Sequence, residues 1–271
     1  MRARTVQLPN GLPIRCHRPQ DALLMYQEVA DYISHGLELH PGSTIMDVGA
    51  NLGIFSLWAY EHCEQNARIL AFEPLAENFD LLTQNLRLLK DQRVQAFSYG
   101  LGEIEAELEF AYFPQASYAS TAYPETASNQ RNLTLTLLRQ NLPNLPQPLP
   151  WLTQFPSFIR EGLLRGLTYF INLQRKVKGK VRPLSQVIAE QKLEQIDFLK
   201  IDVERAEWDV LMGIEEEDWP KIRQLFIEVH DQANKLSRVQ KLLSIKGFRH
   251  IVTVQEDFFQ GTDIHAIYAK R

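Results

Sequence analysis

The sequence predicts an α/β chain built on a mostly parallel, doubly wound sheet of seven strands that ends in an antiparallel β-hairpin. Three observations predict it. Short apolar runs alternate with segments of helical period over residues 44–99 and again over 196–246, the pattern of repeated βαβ units. A glycine-bearing turn, Asp47 to Gly53, stands where the first strand gives way to a helix. A proline-dense stretch in which no core strand fits separates the two halves. With 45% apolar and 23% charged residues among 271, the chain buries a core and is neither a disordered nor a collagenous polymer.

In residues 22–39, Leu23, Leu24, Tyr26, Val29, Ala30, Ile33 and Leu37 recur at roughly helical spacing before Pro41-Gly42 breaks the pattern, so residues 1–40 read as an N-terminal helical segment. Residues 44–48 read as a strand, 52–62 as a helix, 68–73 as a strand, 76–89 as a helix and 93–99 as a strand. The rhythm returns with strands at 196–202 and 222–230 and helices at 206–213 and 234–246. Residues 248–255 and 263–269, joined by a turn containing Gly261, form the closing hairpin. The core is therefore 41–113 together with 183–271.

Residues 114–182 form an insertion of different character, with Pro143, Pro146, Pro148, Pro150 and Pro156 flanked by helical-looking pieces. From Arg131 to Arg182 there are nine basic residues and one acid, a balance of +8 within a chain of net charge -4, so the remainder carries -12. The insertion is expected to be a helical lid on an acidic body.

The overall charge argues against a nucleic-acid binder that relies on bulk positive charge. Cys16 and Cys63 stand far apart in no ligand spacing, which indicates neither a disulfide scaffold nor a structural zinc site. No apolar run reaches the length of a membrane span. Reduced thiols and the missing span predict a cytoplasmic protein with no membrane or nucleic-acid partner.

Three constellations carry chemistry. The first is Asp47-Val48-Gly49-Ala50-Asn51-Leu52-Gly53 at the crevice where doubly wound sheets bind ligands, followed by Glu73 at the end of the second strand, directly before Pro74. Glycines let a backbone pass beneath a ligand, and an acid in the place of Glu73 accepts both hydroxyls of a ribose. A dinucleotide site requires Gly-x-Gly-x-x-Gly. Here the pattern is Gly-x-Asn-x-Gly behind an acid, which repels a pyrophosphate and suits an amino-acid ammonium group, so S-adenosylmethionine is favoured over NAD. A plain tight turn with an accidental acid is the bland alternative.

The second constellation is Lys200-Ile201-Asp202-Val203-Glu204, in which alternation puts Lys200, Asp202 and Glu204 on one side of a strand end. Charges so close need a partner or a task. Glu207 is expected only to support the first turn of the next helix. The third is Glu228-Val229-His230, which places an acid and a histidine on one face of the neighbouring strand. Histidine suits proton removal near neutral pH, and a carboxylate beside it orients the ring. A hydrogen-bonded strand-end histidine is the alternative. A magnesium ion held by Asp202, Glu204 and Glu228 is a second functional reading, because oxygen ligands suit it.

These segments resemble the FkbM-type methyltransferase family: Ile45 to Ser56 around the glycine turn, Phe72-Glu73-Pro74, Leu199 to Glu204, and Glu228-Val229-His230. His35-Gly36, Asp218 to Ile222 and the ending Gly261-Thr262 to Tyr268-Ala269 are similar to the branch found in polyketide and nonribosomal peptide assembly lines. The resemblance implies a class I, Rossmann-like methyltransferase fold and methyl transfer from S-adenosylmethionine, usually to a hydroxyl oxygen. It implies that Asp47, Gly49, Ala50, Asn51 and Gly53 line the methionine end of the cofactor, Glu73 and Pro74 the ribose, and Tyr99, Gly100 and Leu101 the adenine, with Asp202 also at the cofactor. Arg205 stands where the family often has glycine, which weakens the expectation that this helix start approaches a ligand.

Methyl transfer is an in-line displacement, so the protein must align nucleophile and methyl and exclude water. On this reading His230, oriented by Glu228, is the general base, and Asp202 and Glu204 bound the acceptor side. The insertion offers Trp151, Phe155 and Phe158 to an acyl chain, and Arg165, Arg175, Lys176 and Lys178 to phosphate or to an acidic acyl or peptidyl carrier protein. A free sugar or other small hydroxyl acceptor, and a noncatalytic cofactor-binding module, are the alternatives.

Overall fold

The N-terminal stretch does not fold as one helix. In a computed structural model that describes residues 3–145 and 147–271, leaving Met1, Arg2 and Pro146 outside the described residues, the chain opens with an antiparallel hairpin, β1 (Arg4–Gln7) and β2 (Pro13–Cys16). Helix α1 (Pro19–Glu28) and a 3-10 turn (Asp31–Ile33) follow. The helical period expected to residue 39 stops at Glu28, and beyond the 3-10 turn His35 and Gly36 take φ of 51° and 88°, outside the right-handed region. His35 stacks on Tyr268 instead, with ring centroids 4.6 Å apart.

The body comprises β3 (Thr44–Val48), α2 (Ile54–His62), β4 (Arg68–Phe72), α3 (Ala76–Leu86), β5 (Val94–Phe97), β6 (Gly100–Leu101) and β7 (Ala106–Tyr112). After the insertion helices α4 (Ala127–Asn141) and α5 (Ser157–Ile171) come β8 (Arg175–Arg182), α6 (Leu184–Glu190), β9 (Phe198–Ile201), α7 (Glu207–Met212), β10 (Gln224–His230), α8 (Lys235–Ile245), β11 (His250–Val254) and β12 (Ile264–Lys270). The seven-stranded sheet runs β11-β12-β10-β9-β3-β4-β5. β10, β9, β3, β4 and β5 are mutually parallel, and β12 is antiparallel to both of its neighbours. This is the predicted doubly wound sheet with its terminal hairpin.

Alternation along the central strands builds two cores. Ile45, Ile69, Ala71, Phe198 and Phe226 face one way, against Ile54, Phe55 and Leu57 of α2 and Leu81 and Leu82 of α3. Met46, Val48, Leu70, Phe72 and Ile201 face the other, against Val187 of α6, Val210 of α7 and Val239 and Leu243 of α8. Strands buried on both faces read as continuous apolar runs, which is why this sheet was visible in the sequence. β3 and β9 sit at the centre, and the chain reverses direction across the sheet at their carboxyl ends, where ligands bind in such folds.

The insertion supplies no strand to the seven-stranded sheet, as the sequence predicts, but it ends in a strand that the sequence reading did not place. β8 joins β6 and β7 in a separate three-stranded sheet of order β6-β8-β7. Lys176, Lys178 and Lys180 point outward while Gly179 and Val181 point in, so the basic run is an edge-free alternating strand rather than a free charged face. Its charges are largely met by acids of the body: Lys176 lies 2.7 Å from Glu109, Lys178 lies 2.6 Å from Glu107, Arg175 pairs with Glu77 and Arg182 with Glu190. Helices α4 and α5 pack on each other through Leu135, Leu138, Leu142 and Leu164, apart from the main cores. Among the described residues no helix is long and apolar enough to cross a membrane.

Candidate active site

A cavity of about 320 Å³ opens at the carboxyl ends of β3, β4 and β9. Of the residues predicted to bind the cofactor, Gly49, Ala50, Asn51, Glu73, Pro74, Gly100, Leu101 and Asp202 line it. Asp47, Gly53 and Tyr99 do not. Asp47 is fully buried beneath the turn, where Ser56 Oγ donates to its Oδ2 at 2.7 Å and Lys200 Nζ lies 3.2 Å from its Oδ1. Its role is to pair the buried Lys200, which also donates to the Gly49 carbonyl at 3.1 Å and approaches Asp202 at 3.4 Å. Burial lowers the affinity of the Lys200 ammonium for its proton, but Asp47 and Asp202 outweigh this and push its pKa up to about 12. This ion cluster fixes the glycine turn against β9. Tyr99 packs against Phe72 and Phe97 and under the Arg182 guanidinium.

The glycines also have a packing role. Gly49 has φ 81°, and a Cβ there would collide with the Asp202 carbonyl oxygen. Gly53 has φ 80°, and a Cβ there would press on Leu82. Both conformations favour glycine, and both glycines also let the chain pack closely on the protein itself.

Glu73 is 4% exposed. Its Oε2 accepts the Asn51 backbone N–H and its Oε1 the Leu75 backbone N–H, each at 3.0 Å. Burial raises its pKa to about 7 against those hydrogen bonds. Each oxygen keeps a lone pair for a hydroxyl. The side-chain oxygens of Asn51 and Asn78, both residues of the cavity wall, are buried without a hydrogen-bond partner among the described residues. Buried polar atoms are normally paired, so this wall fits a ligand that donates hydrogen bonds, as the ribose hydroxyls and ammonium of S-adenosylmethionine do.

Beyond Asp202 the backbone turns sharply, with Glu204 and Arg205 at φ 50° and 83°. Glu204 lines the cavity, whereas His230 and Glu228 do not. His230 is 1% exposed. Its Nε2 lies 3.2 Å from Glu204 Oε2 and its Nδ1 lies 2.9 Å from Glu207 Oε1. Glu207 is fully buried; it also accepts the Arg205 backbone N–H at 2.6 Å and the Lys235 ammonium at 2.7 Å. Lys235 reaches on to the Arg205 carbonyl at 2.6 Å. The expected Glu228–His230 partnership is thus replaced by a Glu204–His230–Glu207–Lys235 chain. Glu207 is the structural centre of the chain, not merely a helix-dipole residue. Sequence spacing could not reveal it, because its partners come from three separate segments.

Burial works against a charged His230, but the two glutamates outweigh it and hold the imidazolium well above its usual range. Glu207 is held below the usual glutamate range: burial opposes this, and His230 and Lys235 overcome it. Both ring nitrogens of His230 are taken by carboxylates and the ring does not line the cavity, so Glu204 stands between it and the acceptor side, which corrects the role expected of His230. Glu228 makes no hydrogen bond or ion pair among the described residues; burial, then Asp202, push its pKa well up. Glu28, at the end of α1, is raised to about 8 by burial and by Glu256, Asp202 and Asp31. Neither Glu28 nor Glu228 lines the cavity; Asp202, Glu204 and Asp209 do, an acidic wall that suits a cationic sulfonium.

Ligand atoms of Glu204, Glu228 and His230 lie within 4.8 Å of one another. Both nitrogens of His230 are already engaged by Glu204 and Glu207, and the set differs from the all-oxygen Asp202, Glu204 and Glu228 group expected for magnesium. As arranged, these residues do not fit a hard divalent ion.

The parallel sheet with its reversed terminal strand, and a crevice fitted to a nucleoside bearing a charged amino acid, define a class I methyltransferase that depends on S-adenosylmethionine. The chain belongs to the FkbM methyltransferase family: residues 47–250 match the methyltransferase FkbM domain. It is 33% identical over 272 residues to the 31-O-demethyl-FK506 methyltransferase FkbM of Streptomyces tacrolimicus, covering 98% of this chain and 96% of that protein. It is 34% identical over 278 residues to the AMB antimetabolite synthetase AmbE of Pseudomonas aeruginosa, where 98% of this chain spans 12% of the relative. Methyltransferase 1 of Beauveria bassiana is 31% identical over 232 residues, 84% of this chain and 81% of that protein. The crystal structure of an FkbM methyltransferase from Methylobacillus flagellatus shares the fold, with a TM-score of 0.51 at 15% identity over 92% of this chain and 52% of that one.

Proposed function

We propose that the protein methylates a hydroxyl oxygen of a polyketide or peptide natural-product intermediate, and that Glu204 takes the hydroxyl proton. The observation that carries this reading is the placement of the Glu204 carboxylate on the cavity wall with the His230 imidazolium directly behind it. S-adenosylmethionine, when bound, supplies the electrophilic methyl. Glu73, Asn51 and Asn78 hold the ribose and amino-acid parts, and the acids Asp202, Glu204 and Asp209 of the cavity wall accommodate the positive charge. Glu204 accepts the proton as the acceptor oxygen bonds to the methyl carbon and the carbon–sulfur bond breaks, while His230 keeps the carboxylate aimed at the cavity. Residues 117–125 cover the acceptor side with Ser117, Tyr118, Ser120, Ala122 and Tyr123, limiting water in the manner such transfers require.

The similarity to a natural-product methyltransferase and to a synthetase supports an intermediate delivered on a carrier protein. A second reading, an acceptor free in solution, is favoured by the ion pairs that occupy Arg175, Lys176 and Lys178 and leave that face with little free charge for an acidic carrier. Mass spectrometry of carrier-bound hydroxyacyl substrates and of their free small-molecule mimics, each incubated with S-adenosylmethionine, distinguishes the two. A gain of one methyl on the carrier-bound form alone supports the first reading, a gain on the free form alone the second, and no methylation of any hydroxyl overturns both.

A further inference from the structure

The turn that carries Glu204 is tied to the insertion by a buried side chain. Glu204 and Arg205 are consecutive non-glycine residues at φ 50° and 83°, in the left-handed region that glycine enters most cheaply. A side chain kept at position 205 against that strain invites a functional explanation. The Arg205 side chain is 2% exposed and places Nη2 3.3 Å from Glu125 Oε1, in the insertion. Gln232, in the loop after β10, donates to the same Glu125 oxygen. Two further contacts join the same segments: the Thr121 hydroxyl donates to the Glu204 carbonyl and the Tyr123 hydroxyl to Asp209.

We infer that Arg205 and Glu125 are a positioning pair, a clasp that fastens residues 117–125 over the acceptor half of the cavity and fixes the Glu204 backbone so that its carboxylate meets both the cavity and His230. The inference deepens the proposed function and rests on the role given there to Glu204. The backbone of Arg205 is pinned from the body side, its N–H by Glu207 and its carbonyl by Lys235; only its side chain reaches the insertion. Loss of the clasp therefore loosens the strap while leaving the fold of the sheet intact. In consequence the family core and the insertion are one catalytic unit: the insertion completes the geometry of a residue that belongs to the core.

The test uses the full chain saturated with S-adenosylhomocysteine and compares the wild type with Arg205→Gly, which relieves the backbone strain, and Glu125→Gln, which keeps size but removes charge. Hydrogen exchange of residues 117–125 reads the strap, and the NMR titration of the His230 ring reads the Glu204 contact, since Glu204, Glu207 and Glu228 are the acids facing that ring and Lys235 and Asp202 stand behind them. In both variants we expect strap exchange about tenfold faster or more and a lower His230 midpoint, with Glu125→Asp restoring part of each. Unchanged strap exchange and an unchanged His230 midpoint in both variants overturn the clasp. Neither readout needs an acceptor, so the role of Glu204 fails separately, if Glu204→Gln transfers methyl at the wild-type rate.

Discussion

His230 Nδ1 stands 2.9 Å from Glu207 Oε1 in the interior of the protein, and this contact decides which group faces the acceptor. With Glu207 on one nitrogen and Glu204 on the other, the histidine is a charged strut and the pocket-facing acid is Glu204. The strut has its own pH signature. The His230 pKa is raised above its ordinary 6.5 and that of Glu207 is lowered below 4.5. The histidine term is therefore complete below the unfolded value and lost as pH rises through the folded one, and the glutamate term is complete above its unfolded value and lost as pH falls through the folded one. Glu207→Gln should cost about 3 kcal/mol near pH 5.5, measured by urea unfolding, and the deficit should shrink toward both acid and alkaline pH. A pH-independent deficit would show that the contact is not ionic.

Glu28 gives the opposite sign. Its pKa is raised to about 8, so folding binds a proton between the ordinary glutamate range and pH 8, and stability falls as pH rises across that window. Glu28→Gln should stabilise the ligand-free protein by about 4 kcal/mol at pH 8 and leave it unchanged at pH 4, as read from thermal unfolding at the two pH values.

Glu73 should be decisive for cofactor affinity rather than for turnover of bound substrate. Replacing it with alanine leaves the N–H groups of Asn51 and Leu75 without their acceptor and removes the acceptor for ribose hydroxyls, a loss of about 2 kcal/mol. Calorimetry should show S-adenosylhomocysteine binding weakened more than tenfold.

Chelation provides a contrasting test. Because both ring nitrogens of His230 are occupied by carboxylates, methyl transfer should survive exhaustive treatment with a chelator. Loss of activity that magnesium or another divalent ion restores would show that the Glu204–His230 contact opens to admit a metal.

The legible and the hidden parts of this protein differ for physical reasons. The central strands were readable because burial on both faces makes residues such as Ile69 to Phe72 and Leu225 to Ile227 uninterrupted apolar runs. β8 was not, because Lys176, Lys178 and Lys180 dominate its outer face and only Val177, Gly179 and Val181 mark the inner one. Glu73 and Asn51 were readable because turn and strand end are local features. Glu207 was not, since its worth depends on Lys235 and His230, brought together only by the fold. Glu228 and His230 do share a strand face, as alternation predicts, but the loop after β9 inserts Glu204 and Glu207 against the ring and takes both of its nitrogens.

The central claim is that Glu204 receives the acceptor proton. Its most direct measurement is the single-turnover rate of Glu204→Gln with a hydroxyl acceptor methylated by the wild type, alongside S-adenosylhomocysteine affinity. The account predicts a rate lower by about 10²–10⁴-fold with the affinity unchanged; a variant that transfers methyl at the wild-type rate would contradict it.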